Sequence, residues 1–290
     1  MNTHARRSTI PTEPHDPIVD VVVRCKDEMP FTARTLAMLL RQRGVHARIL
    51  FLDCGSKDGS REAASEMGVR ILDLDPAAYV PGVVLNLGMR ETSSRYVAFI
   101  NADAVPGDEL AVARLIQPLA ASATLAATYG RQLPRPDAAP EVRVEYERAF
   151  PAEGRPALRR GTFFSMAASA IRRATWEMLP FDEGLRYSED VDWTHRAASL
   201  GARSLYVPAA AFEHSHDYDL EGQRRRRAGE GEADAAIFHL GAPSLLSDLA
   251  RPLAGALLRD LRTGVASPQV ARLRAAQALG YYQGRRRASA

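Results

Sequence analysis

Four short apolar runs rich in β-branched residues punctuate the first hundred positions, and helix-length amphipathic segments separate them. No other feature of the chain restricts its fold as much. "IVDVVVRC" (18–25), "ARILFLD" (47–53), "VRILDL" (69–74) and "YVAFIN" (96–101) have the length of strands. Their nearly unbroken apolar character fits strands buried on both faces. Between them, "PFTARTLAMLLRQRG" carries Pro30 as a first-turn residue and Gly44 as a stop, and residues 58–67 and about 84–92 read as two more helices. Alternation through residue 120 predicts an α/β domain: a mostly parallel sheet with helices on both faces. From residue 128 the pattern changes. A Pro-rich turn leads into a helix at 141–150, and a strand runs into a helix across "GTFFSMAASAIRRATWEML". "EDVDWTHRAASLG" reads as a helix and "RSLYVPAAAFEH" as one or two short strands, with helices at 219–238, 244–262 and 268–283. The expected division is a disordered polar tail over 1–17, one domain over 18–240, and a helical C-terminal appendage over 241–290.

Composition narrows the partners. The 290 residues suffice for a sizeable core, and 38 cationic side chains stand against 35 anionic ones. Lys26 and Lys57 are the only lysines, so the positive charge is an arginine bias close to balance, which argues against nucleic acid as partner. Cys25 and Cys54 are too few for a disulfide framework or a zinc site and are expected as reduced thiols. No run approaches the roughly 18 apolar residues of a membrane span. Residues 1–17 lack the apolar stretch of a signal peptide. The expectation is a cytoplasmic protein, peripheral to a membrane surface at most.

Ligands of a parallel α/β sheet collect at the carboxyl ends of its strands. The first strand there ends in Arg24, Cys25, Lys26, Asp27 and Glu28, the second in Asp53, Cys54, Gly55 and Ser56, and the fourth in Asn101, Ala102 and Asp103. Any one of these could be a cap or turn residue; polar and acidic groups crowding one rim point to a site. No G-x-G-x-x-G follows the first strand and no P-loop is present, so a nucleotide would be held by side chains and a metal. Carboxylates such as Asp103 are the hard ligands that Mg2+ and Mn2+ prefer. In "RYSEDVDWTHR", Ser188 could cap a helix whose first turn holds Glu189 and Asp190. The two acids either complement the helix dipole or supply a general base that the helix start keeps ionised. His214 and His216 alternate in "FEHSHDYDL", so both fall on one side of an extended segment, suited to metal or phosphate. Arg224–Arg227 is either a solvated face balanced by Glu221, Glu230 and Glu232 or a source of inward-reaching arginines. The 244–262 helix interleaves leucines with Arg251, Arg259 and Arg262, which would suit a membrane surface, a homodimer or packing on the domain.

Taken in order, these residues resemble the family 2 glycosyltransferases of GT-A fold. "VVVRCKDE" stands where that family has a strand and a polar Asn-Glu-like pair. "LDCGSKDGS" is similar to its Asp-x-Gly-Ser-x-Asp-Gly-Ser/Thr element, and "LNLGMRETSSRYVAFINADAVP" to its Asn-x-Gly helix and Asp-x-Asp strand. "EDVDW" and a later "EH" complete the set, and "YGRQLPRPDA", "AIRRATWEMLPFDE" and "HSHDYDL" resemble a bacterial rhamnosyltransferase-like subset that builds surface polysaccharide. The resemblance implies a nucleotide-sugar half over 18–130 and an acceptor half over 131–240. It implies an inverting transfer of a sugar from a nucleoside-diphosphate sugar to a hydroxyl of a glycan or lipid-linked saccharide. Arg24, Cys25, Lys26, Asp53, Asn86, Asn101 and Ala102 would then bind the nucleotide, with Asp53 on the base. Asp103, with His214 or His216, would hold Mg2+ or Mn2+ on the diphosphate. Asp190 would be the base and Glu189 would orient the acceptor. Two positions depart from the family pattern: Asn101 replaces the first acid of Asp-x-Asp, and Leu85 stands where an Arg often precedes Asn86. A silent nucleotide-sugar-binding module and a nucleotidyltransferase of related fold are the competing readings; a retained Glu189–Asp190 pair counts against the first and the missing Gly-rich loop against the second. A glycoside hydrolase would leave the nucleotide-type rim unexplained.

Overall fold

The computed structural model of the chain describes residues 16–156 and 163–289. The tail expected over 1–17 therefore lies, apart from its last two residues, outside the described residues. Strand β1 (Ile18–Cys25) is central and pairs in parallel with β2 (His46–Asp53) on one side and β4 (Tyr96–Asn101) on the other, while β3 (Arg70–Asp73) extends the sheet beyond β2. Side-chain alternation along β1 builds both faces. Val19, Val21 and Val23 pack with helices α1 (Phe31–Leu39) and α4 (Ala111–Ala121), whereas Val22 packs with α3 (Pro81–Arg90), Phe99, Phe181 and Trp193. Gly88 of α3 lies against Val22, where a Cβ would stand 2.8 Å from a methyl group.

Beyond β4 the sheet becomes mixed. β7 (Ala168–Arg172) runs antiparallel to β4 and to β6 (Leu125–Leu133), and β8 (Arg203–Glu213) is parallel to β6. The segment read as one or two short strands is thus a single strand with a bulge: Gly130 pairs with Val207, but the next residue, Arg131, pairs with Ala211. Pro208 cannot donate to a ladder, and the chain loops out around it. Gly130 is required opposite the loop, since a Cβ there would lie 2.5 Å from the Ala210 carbonyl oxygen. The shifted register lets the end of β8 pair with a two-residue strand, β5 (Val105–Pro106), through Glu213 and Phe212. Sheet order is β3-β2-β1-β4-β7-β6-β8-β5.

The expected helices are present with ends moved by one or a few residues: α2 over Ser60–Glu66, α5 over Pro140–Ala149, α6 over Arg173–Met178 and α7 over Glu189–Ser199. Asp58 stands outside α2, and its carboxylate accepts from the Ser60 and Met29 amides. At the C-terminal end, α8 (Leu220–Ile237) packs tightly on α10 (Pro268–Arg287), with Gly280 and Gly284 against the carbonyls of Arg224 and Ala228. A π-helical turn (Leu245–Ala250) continues into α9 (Arg251–Arg262). The helical appendage thus exists, but its main partner is α8, inside the expected domain boundary.

Candidate active site

The register of the sheet brings the rim residues together. Arg24 pairs with Asn101 across β1 and β4, and its guanidinium donates to Asn101 Oδ1 at 3.0 Å while standing 3.7 Å from Glu189. The α7 N-terminus is thereby tied to the ends of β1 and β4. Beside them opens a cleft of about 470 Å³ bordered by Arg24, Cys25, Lys26, Asn101, Asp103 and His216.

After β4 the chain turns, with the Ala104 amide bonded to the Asn101 carbonyl, and pairs through β5 with the end of β8. Asp103 in the turn therefore meets His214 and His216, which follow β8. Nε2 of His214 is 3.5 Å from Asp103 Oδ1, and Nε2 of His216 is 3.6 Å from Oδ2. Among the described residues these three side chains form a cluster whose ligand atoms all lie within 4.8 Å of one another. The tautomer suits a cation. Gln132 donates from Nε2 to Ser165 Oγ at 2.6 Å, which aims its Oε1 at His214 Nδ1, 2.8 Å away. Nδ1 then carries the proton and Nε2 the lone pair. That Nε2 is buried and has no hydrogen-bond partner, as a ligand atom awaiting an ion would. Burial and the neighbouring arginines hold His214 down to about 3, and burial and His214 hold His216 down to about 4, so both rings are neutral donors at physiological pH. Burial pushes the Asp103 carboxyl up, opposed by His216 and by Arg135.

Arg135 and Glu28 flank Asp103. Arg135 bonds Asp103 Oδ2 at 2.8 Å with its guanidinium 3.6 Å from the centre of the Phe31 ring. Glu28 has its carboxyl raised to about 7, by burial first and by the Asp103 charge second. A Pro-flanked arginine in "RQLPRPD" carries no local mark of this role, because its partner is 32 residues away. Gln132 has no mark either.

Asp190 lies at the start of α7, with Oδ2 accepting from the Met166 amide at 3.2 Å and Oδ1 from its neighbour Val191 at 2.8 Å. Its expected ionisation at a helix start is only partial at neutral pH. Burial, and then the adjacent Glu189, push the carboxyl to about 7. Ser188 does not cap α7 with its side chain; it is a left-handed residue (φ 59°) whose carbonyl accepts from Asp192. Asp53 Oδ2 is engaged by the Gly55 and Ser56 amides, leaving Oδ1 buried without a partner next to Cys54, which lines the cleft. Ala102 is fully buried, and its amide bonds the Arg24 carbonyl.

Asn86 does not join this group, contrary to expectation. Its amide donates to the Phe181 carbonyl and Glu183 and accepts from Trp176 Nε1 and the Phe181 amide, at 2.8 to 3.0 Å. A buried amide with every polar atom used pins α3 to the segment before α7 and has nothing left for a nucleotide. The arginine run splits: Arg224 bonds Gln283 and Arg227 faces Tyr281, both on α10, while Arg226 lies 5.2 Å over Tyr218, a cleft residue.

The rim of this α/β sheet gathers a carboxylate, two neutral histidines and a carboxyl titrating near neutrality, a donor set suited to holding a cation. The chain belongs to the glycosyl transferase family 2, whose model matches residues 20–178. No curated protein matches it. Among solved structures it is similar to a mannosyltransferase from Pyrobaculum calidifontis in complex with GDP-Man and Mn2+, at 18% identity and a TM-score of 0.64, covering 93% of this chain and 86% of that one. It is also similar to glucosyl-3-phosphoglycerate synthase from Mycobacterium tuberculosis in complex with Mn2+, UDP and phosphoglyceric acid, at 17% identity and a TM-score of 0.57, covering 80% and 81%. Both share the GT-A fold with this chain.

Proposed function

We propose that this chain is an inverting glycosyltransferase that moves a sugar from a nucleoside-diphosphate donor to a hydroxyl of a glycan or lipid-linked saccharide. The motif set favours L-rhamnose as the sugar, bacterial surface polysaccharide as the product and the cytoplasm as the setting. The observation that carries the reading is one cleft reached both by the Asp103–His214–His216 cluster and, through Arg24, by the acidic start of α7. Residues 18–130 would hold the donor: Arg24, Cys25 and Lys26 along the nucleoside, Asp53 Oδ1 accepting from the base, and Asn101 and the Ala102 backbone beside the ribose. Residues 131–240 would hold the acceptor.

Asp103, His214 and His216 would hold Mg2+ or Mn2+, and the orphaned Nε2 of His214 supports that fit. Bound there, the cation supplies charge neutralisation to a departing diphosphate. Arg24 and Lys26, which line the same cleft, add positive charge. Asp190 would take the proton of the acceptor hydroxyl as that oxygen attacks the anomeric carbon from the face opposite the diphosphate. A carboxylate titrating near 7 accepts that proton more readily than one at 4. Glu189, fixed by Arg24, would orient the acceptor. A silent binding module would have no use for such a poised acid.

A thermal-shift screen of UDP, GDP and dTDP with Mn2+, followed by hydrolysis assays with the corresponding sugars, tests the reading. One nucleoside diphosphate should raise the melting temperature by several degrees, because a ligand bound only by the folded state stabilises it. No shift and no hydrolysis with any of them would overturn it.

A further inference from the structure

The C-terminal helices leave an apolar face that the rest of the chain does not cover. Of α9 only Asp260 is buried. Leu245 and Leu246 in the preceding turn are 62% and 66% exposed, and Leu258 and Leu261 of α9 are 47% and 68% exposed. Arg251 and Arg262 lie beside Leu258 on the helix circumference and are themselves exposed. Among the described residues no ion pair engages Arg251, Arg259 or Arg262.

Charge decides what covers this face. Across residues 245–289 Asp248 and Asp260 are the two carboxylate side chains, and both are consumed internally, Asp248 by Arg285 at 2.8 Å and Asp260 by two bonds from Arg274 at 2.8 and 2.9 Å. The same stretch holds eight arginines, of which Arg274 and Arg285 are buried in ion pairs. The surface therefore presents leucine and arginine with no exposed acid. A second copy docking by the same face would set arginine against arginine with nothing to pair them, a repulsive arrangement. An anionic lipid surface answers both features: acyl chains take the leucines and phosphate headgroups take the guanidiniums. No helix is long and apolar enough to cross a membrane.

We propose that the Leu245–Arg262 segment docks the protein flat on an anionic phospholipid bilayer. The docking face is tied to the cleft. Arg274, which holds Asp260 of α9, also pairs with Glu145 of α5, and the next residue, Tyr146, lies against the backbone of His216, which lines the cleft. Docking would hold the acceptor side of the cleft close to the bilayer. The inference stands on the surface itself and does not require the transferase reading.

Sedimentation of the full chain with phosphatidylcholine vesicles, with and without phosphatidylglycerol, tests it, alongside light scattering without lipid. Wild type should partition onto the anionic vesicles at least tenfold more strongly than onto neutral ones, and added salt should weaken it. Leu258→Ser/Leu261→Ser and Arg251→Glu/Arg262→Glu should each reduce that partition at least tenfold, with melting temperature and nucleoside-diphosphate binding unchanged. Wild type remaining in the supernatant with anionic vesicles would overturn the proposal, as would double variants that bind like wild type. A dimer that the leucine variant dissociates, without vesicle binding, would assign the face to a second copy instead.

Discussion

The most informative perturbation is pH, because Asp190 titrates where an ordinary aspartate does not. With its carboxyl near 7, the ionised fraction is about 90% at pH 8 and about 1% at pH 5. An aspartate at its usual value of about 3.9 would stay over about 90% ionised across that range. If the ionised form is the base, kcat/KM should fall roughly 90-fold from pH 8 to pH 5, tenfold per unit on the acid limb. His214 and His216, held to about 3 and about 4, stay neutral over this range. Glu28 does titrate in it, near 7, so Glu28→Gln is the control and should keep the limb. Asp190→Asn should lose a factor of about 10² to 10⁴ in kcat and flatten the residual profile. Stability should separate from activity. The raised carboxyl binds a proton in the folded state that the unfolded chain releases, so its contribution to stability declines as pH rises from about 4 to 7. At pH 8 the asparagine removes that opposed charge while giving up one acceptor bond from Met166, and the melting temperature should hold within a few degrees. The assay is a pH series of initial rates with thermal melts of the same samples. A flat wild-type profile between pH 5 and 8, or an Asp190→Asn enzyme with wild-type turnover, would refute the reasoning.

Other substitutions probe the supports of the site. Gln132→Leu removes the acceptor that fixes the His214 tautomer, and Mn2+ affinity measured by calorimetry should drop about 10- to 100-fold. Asn86→Ala leaves the Phe181 amide and the Trp176 indole unpaired in the interior and should cost about 2 to 4 kcal/mol in denaturant unfolding; unchanged stability with weakened nucleotide binding would return Asn86 to the donor site. Gly130→Ala drives a Cβ into the Ala210 carbonyl, so it should lower the melting temperature and, by disturbing the β8 bulge, weaken Mn2+ binding as well.

The strands and helices of the first 120 residues were legible because their period and punctuation are local properties. β1, β2 and β4 fall within a residue of their apolar runs, and Arg24, Asn101 and Asp103 sit at strand ends as rim residues should. What was not legible depends on distant pairing. β5 is two residues long and exists through its partner β8, so no pattern announces it. The direction of β7 is set by its neighbours and not by "ASAIR" itself. Asn86 reads as a ligand through the resemblance of its Asn-x-Gly helix to the family's, yet the Phe181 segment, 95 positions away, absorbs it. The carboxyl of Asp190 escaped for a similar reason: a helix start favours ionisation, but its burial beside the turn that holds Met166, just before β7, opposes it.

The account rests on a cation held by Asp103, His214 and His216 against a nucleoside diphosphate. Isothermal titration of the nucleoside diphosphate selected by thermal shift, into wild type and Asp103→Asn, with Mn2+ and with EDTA, measures this directly. Wild type should bind at least tenfold more tightly with Mn2+, and the variant should show no metal-dependent gain. Equal affinity with and without the metal in wild type would contradict the account.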